Sequence, residues 1–230
     1  MKLLTFRDYD EYRRVQATAN ELKFHNVFAE DPELRRIASH FSARARDART
    51  GLCHGVRNGY EVKMLRRLLP DVDIIGTDIS ETASRVPHSI VWDMHEVKPE
   101  WKGRTDFMYS NSWDHTYDPE RLFASWSECL SERGRLYLPY NDLQSERGVT
   151  EATKIDPFGC SVDELIALLR TAFVVDDLLE VTPRVTTQVF RRRAAHLLAG
   201  EPWKALTARI TSRRLLVFVL GRKNTPNARR

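Results

Sequence analysis

Apolar positions along the chain switch between two periods in a regular order. Short, mostly apolar runs read as strands: Gly51 to His54, Asp73 to Asp78, Ser89 to Asp93, Thr105 to Ser110, Gly134 to Pro139, Phe173 to Val181 and Leu215 to Leu220. Helical spacing fills the intervals. Asp8 to Phe24 repeats Tyr12, Val15, Ala19 and Leu22 on one side, and Asp31 to Arg46 has Pro32 in its first turn. Glu61 to Leu69 is stopped by Pro70, whereas Ser80 to Pro87 is too short for a full crossover helix. Pro119 to Leu130 follows the cap Asp118 and turns Leu122, Phe123, Trp126 and Leu130 inward. Ser161 to Thr171 opens with a capping box of Ser161 and Glu164. Strand alternating with helix predicts an α/β fold built on a mainly parallel sheet.

The first strand runs into the turn Gly51-Leu-Cys-His-Gly-Val-Arg-Asn-Gly59. Gly55 and Gly59 let backbone amides at a helix start approach a ligand where side chains would collide. Asp78 follows at the tip of the next strand, about 20 residues on, where a carboxylate can accept both hydroxyls of a ribose. The turn is not G-x-G-x-x-G, so a dinucleotide is not the first expectation.

Taken with Asp93 after the third strand and the loop Asn111-Ser-Trp-Asp-His-Thr-Tyr117 after the fourth, this order resembles the class I S-adenosylmethionine-dependent methyltransferases, over roughly residues 45 to 182 and the last strand. The resemblance implies a Rossmann-like, doubly wound, seven-stranded sheet whose last two strands form an antiparallel pair. It implies S-adenosyl-L-methionine as cofactor. Cys53, His54, Gly55, Arg57, Asn58 and Gly59 then face its methionine part, Asp78 and Ile79 its ribose, and Asp93 and Met94 its adenine. Ser110 and Asn111 open the loop facing the methyl group. Cys53 stands where the family carries an acid and Arg57 where it carries the middle glycine; Arg57 could instead pair with the cofactor carboxylate. Residues 1–48 are expected as a helical cover and 49–230 as the methyltransferase domain, the whole folding as a single domain. In that family such a cover often lies over the substrate pocket, which makes Tyr9, Tyr12, Gln16, Asn20 and Lys23 candidate substrate contacts.

Composition adds boundaries. The 230 residues, 42% hydrophobic, suffice for one α/β domain with additions. No apolar run reaches membrane-span length, and Met1-Lys-Leu-Leu-Thr-Phe-Arg7 lacks a signal-peptide core. Cys53, Cys129 and Cys160 are widely spaced and odd in number, which suits reduced thiols in a cytoplasmic protein. An insertion at 182–214 carries Arg191-Arg-Arg193, Arg209, Arg213 and Arg214, and the chain ends in Arg229-Arg230. With a net charge of only +4, a solvated helix face is the simpler reading of that insertion; the alternatives are a phosphate-bearing substrate, nucleic acid or an anionic membrane surface.

Methyl transfer from a sulfonium is an in-line displacement, helped mainly by positioning and, for a hydroxyl acceptor, by proton removal. His115 is the candidate base, with Asp114 or Asp118 to orient it. The Asp114-His115 pair with Asn141 also resembles part of the magnesium set of catechol-type O-methyltransferases. Tyr140 replaces the second aspartate of that set and Asp142 is only an offset substitute, so no metal is expected. The loop Ser-Asn-Ser-Trp-Asp-His lacks the Asn-Pro-Pro-Tyr pattern of base amino methylation, and the chain has no Pro-Cys nucleophile loop. A hydroxyl of a small molecule or glycan is the leading acceptor, and a homodimer is a possible assembly. The alternative is a non-catalytic or nucleic-acid-binding member of the fold.

Overall fold

The computed structural model describes residues 1–181 and 215–223. The insertion 182–214 and the terminal Arg229-Arg230 therefore lie outside the described residues. Nine strands are described: β1 (Lys2–Leu3), β2 (Thr50–His54), β3 (Asp73–Asp78), β4 (Ser89–Val91), β5 (Thr105–Tyr109), β6 (Leu130–Tyr140), β7 (Phe158–Gly159), β8 (Phe173–Val181) and β9 (Leu215–Arg222). The described helices are α1 (Tyr9–Leu22), α2 (Asp31–Ser42), α3 (Tyr60–Leu68), α4 (Pro119–Cys129) and α5 (Val162–Ala172).

Seven strands form one sheet in the order β4-β3-β2-β5-β6-β9-β8, parallel from β4 to β6, with β9 antiparallel to both β6 and β8. Side chains alternate across it as the strand period requires. Cys53, Phe107, Tyr109, Tyr137, Val217 and Val219 face one core with Leu34, Ile37 and Phe41 of α2 and Val62 and Leu65 of α3. Leu52, Met108, Leu136, Leu138, Phe218 and Leu220 face the other with Leu122, Phe123 and Trp126 of α4 and Leu165 and Leu169 of α5. Helices thus cover both faces, the doubly wound arrangement expected from the sequence. Its antiparallel closing pair is also present.

Local chemistry explains the element ends. Asp8 caps α1 by accepting from the Glu11 amide, Asp118 caps α4 through the Arg121 amide, and Ser161 and Glu164 form the expected capping box of α5. The stretch after β3 is a single 3₁₀ turn, Glu81–Arg85, too short for a crossover helix as anticipated. Some boundaries differ. α2 stops at Ser42 rather than Arg46, β4 ends at Val91 rather than Asp93, and β6 starts at Leu130 rather than Gly134.

The inward side of α1 follows the periodicity at Tyr12 and Ala19 and departs from it at Leu22. Tyr12, Gln16 and Ala19 are buried, while Leu22 is 80% exposed. β1 pairs antiparallel with β7, Lys2 opposite Gly159 and Leu3 opposite Phe158, a two-residue ladder too short to show in the sequence pattern. It brings the start of the chain beside the segment that follows β6, so α1 lies against the strand ends where Asp78 and Asp93 emerge.

Candidate active site

A cleft of about 400 Å³, open mouth included, lies at the carboxyl ends of β2, β3, β4 and β5. Its wall combines Gly55, Asp78, Ile79, Asp93, Met94 and His115 with Tyr12, Gln16 and Asn20 of α1. Open α/β sheets bind ligands at this edge, where strand order reverses about the first strand of the parallel set. Ser112, in the loop already expected at the site, also lines the cleft, as do Thr77 and Trp92, which adjoin Asp78 and Asp93 and carry no site signal of their own in the sequence.

Gly55 ends β2 in the left-handed region with φ +74°, and a Cβ there would meet Ser112 Cβ at 2.5 Å. Only glycine meets both demands, so the turn after β2 and the loop after β5 can close on one another. The Gly55 amide donates to the Thr77 carbonyl at 2.8 Å, tying the turn to β3.

Asp78 is 3% exposed. Its Oδ2 accepts from the Arg57 amide at 2.9 Å, and its Oδ1 accepts from the Ser80 amide at 3.0 Å and from the Asn20 side chain. Burial pushes its pKa above the ordinary carboxylate value, and these donors oppose that shift. Asp93 is held differently. Its Oδ1 accepts from the His95 amide at 2.9 Å and lies 2.6 Å from His95 Nδ1, while Tyr9 donates to Oδ2 at 2.7 Å. Burial alone would raise its pKa, but the contacts with His95 and Tyr9 outweigh it and the net shift is downward. His95 Nε2 reaches Thr116 Oγ1 at 2.6 Å, so Asp93 is linked through His95 to the loop that carries His115.

His115 closes a 3₁₀ turn, Trp113–His115, anchored by the buried Trp113, whose indole donates to the Pro139 carbonyl at 2.8 Å. Its Nδ1 lies 2.8 Å from Gln16 Oε1 and its Nε2 lies 3.3 Å from Asp156 Oδ1. Burial lowers its pKa to about 4, against the pull of Asp156, so the ring is neutral at pH 7. Neither Asp114 nor Asp118 orients it. Asp118 serves as the cap of α4, and Asp114 is buried with Oδ1 lacking a hydrogen-bond partner. Asp156 had no local signal in the sequence, since only tertiary folding brings the segment after β6 to the loop after β5.

The remaining candidates sit behind or beside the cleft. Cys53 is buried in the core. His54 stacks on Trp126 with ring centroids 5.1 Å apart and contacts Thr77 Oγ1 at 2.7 Å, and burial lowers its pKa to about 3. Arg57 turns toward residues 24–28, donating to the Asn26 carbonyl at 3.2 Å and lying 4.5 Å above the Phe28 ring. Asn58 donates to the Phe24 and Asn26 carbonyls at 2.8 and 3.1 Å. Gly59 caps α3 with φ +73°. Ser110 donates to the His54 carbonyl at 3.1 Å, and the Asn111 carbonyl accepts from Gln144 at 3.2 Å. Asn141 Oδ1 accepts from the Leu143 amide at 2.9 Å and caps the short turn that follows β6. Among the described residues, no helix is long and apolar enough to cross a membrane.

No family model and no curated protein matches the chain in sequence. Solved structures match it in fold. The geranyl diphosphate C-methyltransferase of Streptomyces coelicolor, solved with magnesium, geranyl diphosphate and S-adenosylhomocysteine, superposes with TM-score 0.65 at 16% identity, covering 94% of this chain and 100% of that one. The 1,6-didemethyltoxoflavin N1-methyltransferase of Burkholderia thailandensis, bound to its substrate and S-adenosylhomocysteine, gives 0.65 at 15% identity, covering 96% and 93%. The 4+2 cyclase SpnF gives 0.62 at 14% identity, covering 97% and 99%. The chain therefore has the Rossmann-like fold found in class I S-adenosylmethionine-dependent methyltransferases.

Proposed function

We propose that this chain, built on the class I methyltransferase fold, transfers a methyl group from S-adenosylmethionine to a hydroxyl of a small molecule or glycan. The observation that carries the reading is the convergence of the Gly55 turn, Asp78, Asp93 and His115 on one cleft. Asp78 is the ribose acceptor and Asp93 stands at the adenine side. Segment 1–48 covers the domain formed by 49–230.

His115 takes the proton of the acceptor. With Nδ1 facing the Gln16 oxygen, the basic lone pair is on Nε2, and Asp156 stabilises the imidazolium formed when Nε2 is protonated. The neutral ring favours this role at pH 7. Arg57 is not assigned to the cofactor carboxylate, because its guanidinium is engaged with Asn26 and Phe28.

Titration with S-adenosylhomocysteine tests the cofactor, and transfer of labelled methyl from S-adenosylmethionine tests the reaction. Micromolar binding supports the enzyme. Its absence favours a member of the fold with another role, a reading encouraged by the similarity to a cyclase and by the contacts that α1 already makes with Asp78, Asp93 and His115.

A further inference from the structure

Asp114, His115 and Asp156 bring one ligating atom each within 4.8 Å of the others. The polarity of the surrounding hydrogen bonds makes this more than a cluster of acids. The Gln16 amide nitrogen donates to the Ile155 and Lys154 carbonyls at 3.0 and 3.4 Å, which fixes its oxygen toward His115 Nδ1 at 2.8 Å. An amide oxygen only accepts, so Nδ1 carries the hydrogen and the neutral ring turns the lone pair of Nε2 toward Asp156 Oδ1. Two acceptors then face each other.

A proton between them would draw the pair to ~2.7–2.9 Å, the length of a charge-assisted hydrogen bond. The observed separation is 3.3 Å. Two ligands of a tetrahedral zinc-type cation, each bound at ~2.0–2.1 Å, lie ~3.3 Å apart. The third group adds an independent sign: Asp114 is 6% exposed, and its Oδ1 is buried with no hydrogen-bond partner, a state a cation relieves.

We propose that Asp114, His115 and Asp156 form a binding site for a divalent transition cation of the zinc class. One imidazole and two carboxylates suit such an ion, and three protein ligands leave a fourth position for water or a ligand from the cleft that His115 lines. The site shares Asp114 and His115 with the pair that resembles the catechol-type set, but its third member is Asp156 rather than Asn141. It does not depend on methyl transfer. The cation and the acceptor proton compete for the same Nε2 lone pair, so an occupied site silences His115 as a base.

The test is calorimetric titration of zinc chloride into the chelator-stripped full chain without cofactor, with cobalt(II) as a spectroscopic probe. The expected result is one tight equivalent, weakened at least tenfold in Asp114→Asn, His115→Gln and Asp156→Asn, with cobalt bands of a four-coordinate nitrogen and oxygen site. Circular dichroism confirms that each variant is folded. Asp156, being partly exposed, is the variant least tied to the core. Absence of a tight equivalent, or one untouched in folded Asp156→Asn, overturns the proposal. S-adenosylhomocysteine binding measured on the same samples separates the two readings: zinc without cofactor binding sinks only the methyltransferase, and the reverse sinks only the cation site.

Discussion

Asn20 of α1 donates a hydrogen bond to Asp78 at the end of β3, spanning 58 positions of sequence. The same carboxylate oxygen accepts from the Ser80 amide, so under the proposed ribose role a hydroxyl arriving at Oδ1 would compete with an amide side chain already seated there. Asn20→Ala is expected to tighten S-adenosylhomocysteine binding several-fold. Asp78→Asn is expected to weaken it by ~2–3 kcal/mol, the scale of hydrogen bonds to a charged group. Calorimetry on both variants checks the pair, and unchanged affinity in Asp78→Asn removes that residue from the cofactor site.

Replacing His115 by Gln should lower turnover by ~100-fold or more and leave cofactor affinity nearly intact, as expected of lost proton transfer. Asp156→Asn should lower kcat less, by ~10-fold, because it removes only the stabilisation of the imidazolium. Chelator treatment should not abolish methyl transfer. Near-normal turnover of the His115 variant would falsify the base assignment.

Gly55→Ala should cost more than Gly103→Ala. Both glycines have positive φ, +74° and +67°, and each substitution pays roughly 1 kcal/mol for the left-handed backbone. At Gly55 the new methyl also meets Ser112 Cβ at 2.5 Å, whereas at Gly103 the nearest atom is the end of Arg222 at 3.6 Å. Thermal denaturation of the two variants decides this, and equal losses of Tm would show that the loop after β5 gives way freely.

Glu33 gives a pH dependence with a definite sign. It is fully buried beside Tyr109, whose hydroxyl donates to it at 2.7 Å, and burial raises its pKa from 4.5 to about 7. A raised carboxyl binds its proton more tightly when folded, so its contribution to stability is greatest below pH 4.5 and is lost as pH rises toward 7. The loss is of order 2–3 kcal/mol, and the neighbouring Glu61, also raised to about 7, adds to the same trend. Glu33→Gln keeps an acceptor for Tyr109 and should raise Tm at pH 8 relative to the native chain while changing little at pH 5. A Tm difference independent of pH would remove Glu33 as the source.

The strands were legible because four of the five parallel ones are short, mostly apolar runs between turn residues, and an acid stands at the end of β3 and two residues beyond β4. That is why Asp78 and Asp93, read from position alone, come to one cleft with Gly55 and His115. Helix α1 follows the periodicity at Tyr12 and Ala19 but departs from it at Leu22 for a physical reason. Hydrophobic spacing assumes an apolar partner, but the inner side of α1 meets Asp93, His115 and Asp78, so Tyr9, Gln16 and Asn20 reach inward while Leu22 is left in solvent. Asp156 was invisible for a related reason, since its partner is supplied by tertiary structure and leaves no spacing to count.

The short ladder between β1 and β7 changes what α1 can do. Ahead of the helix, Lys2 and Leu3 are stitched to Gly159 and Phe158; behind it, Arg57 and Asn58 grip the carbonyls of residues 24 and 26. A segment held on both sides has less freedom to leave the cleft than one held at a single end, so the contacts at residues 2–3 and at 24–26 both bear on how α1 is kept over Asp78 and Asp93.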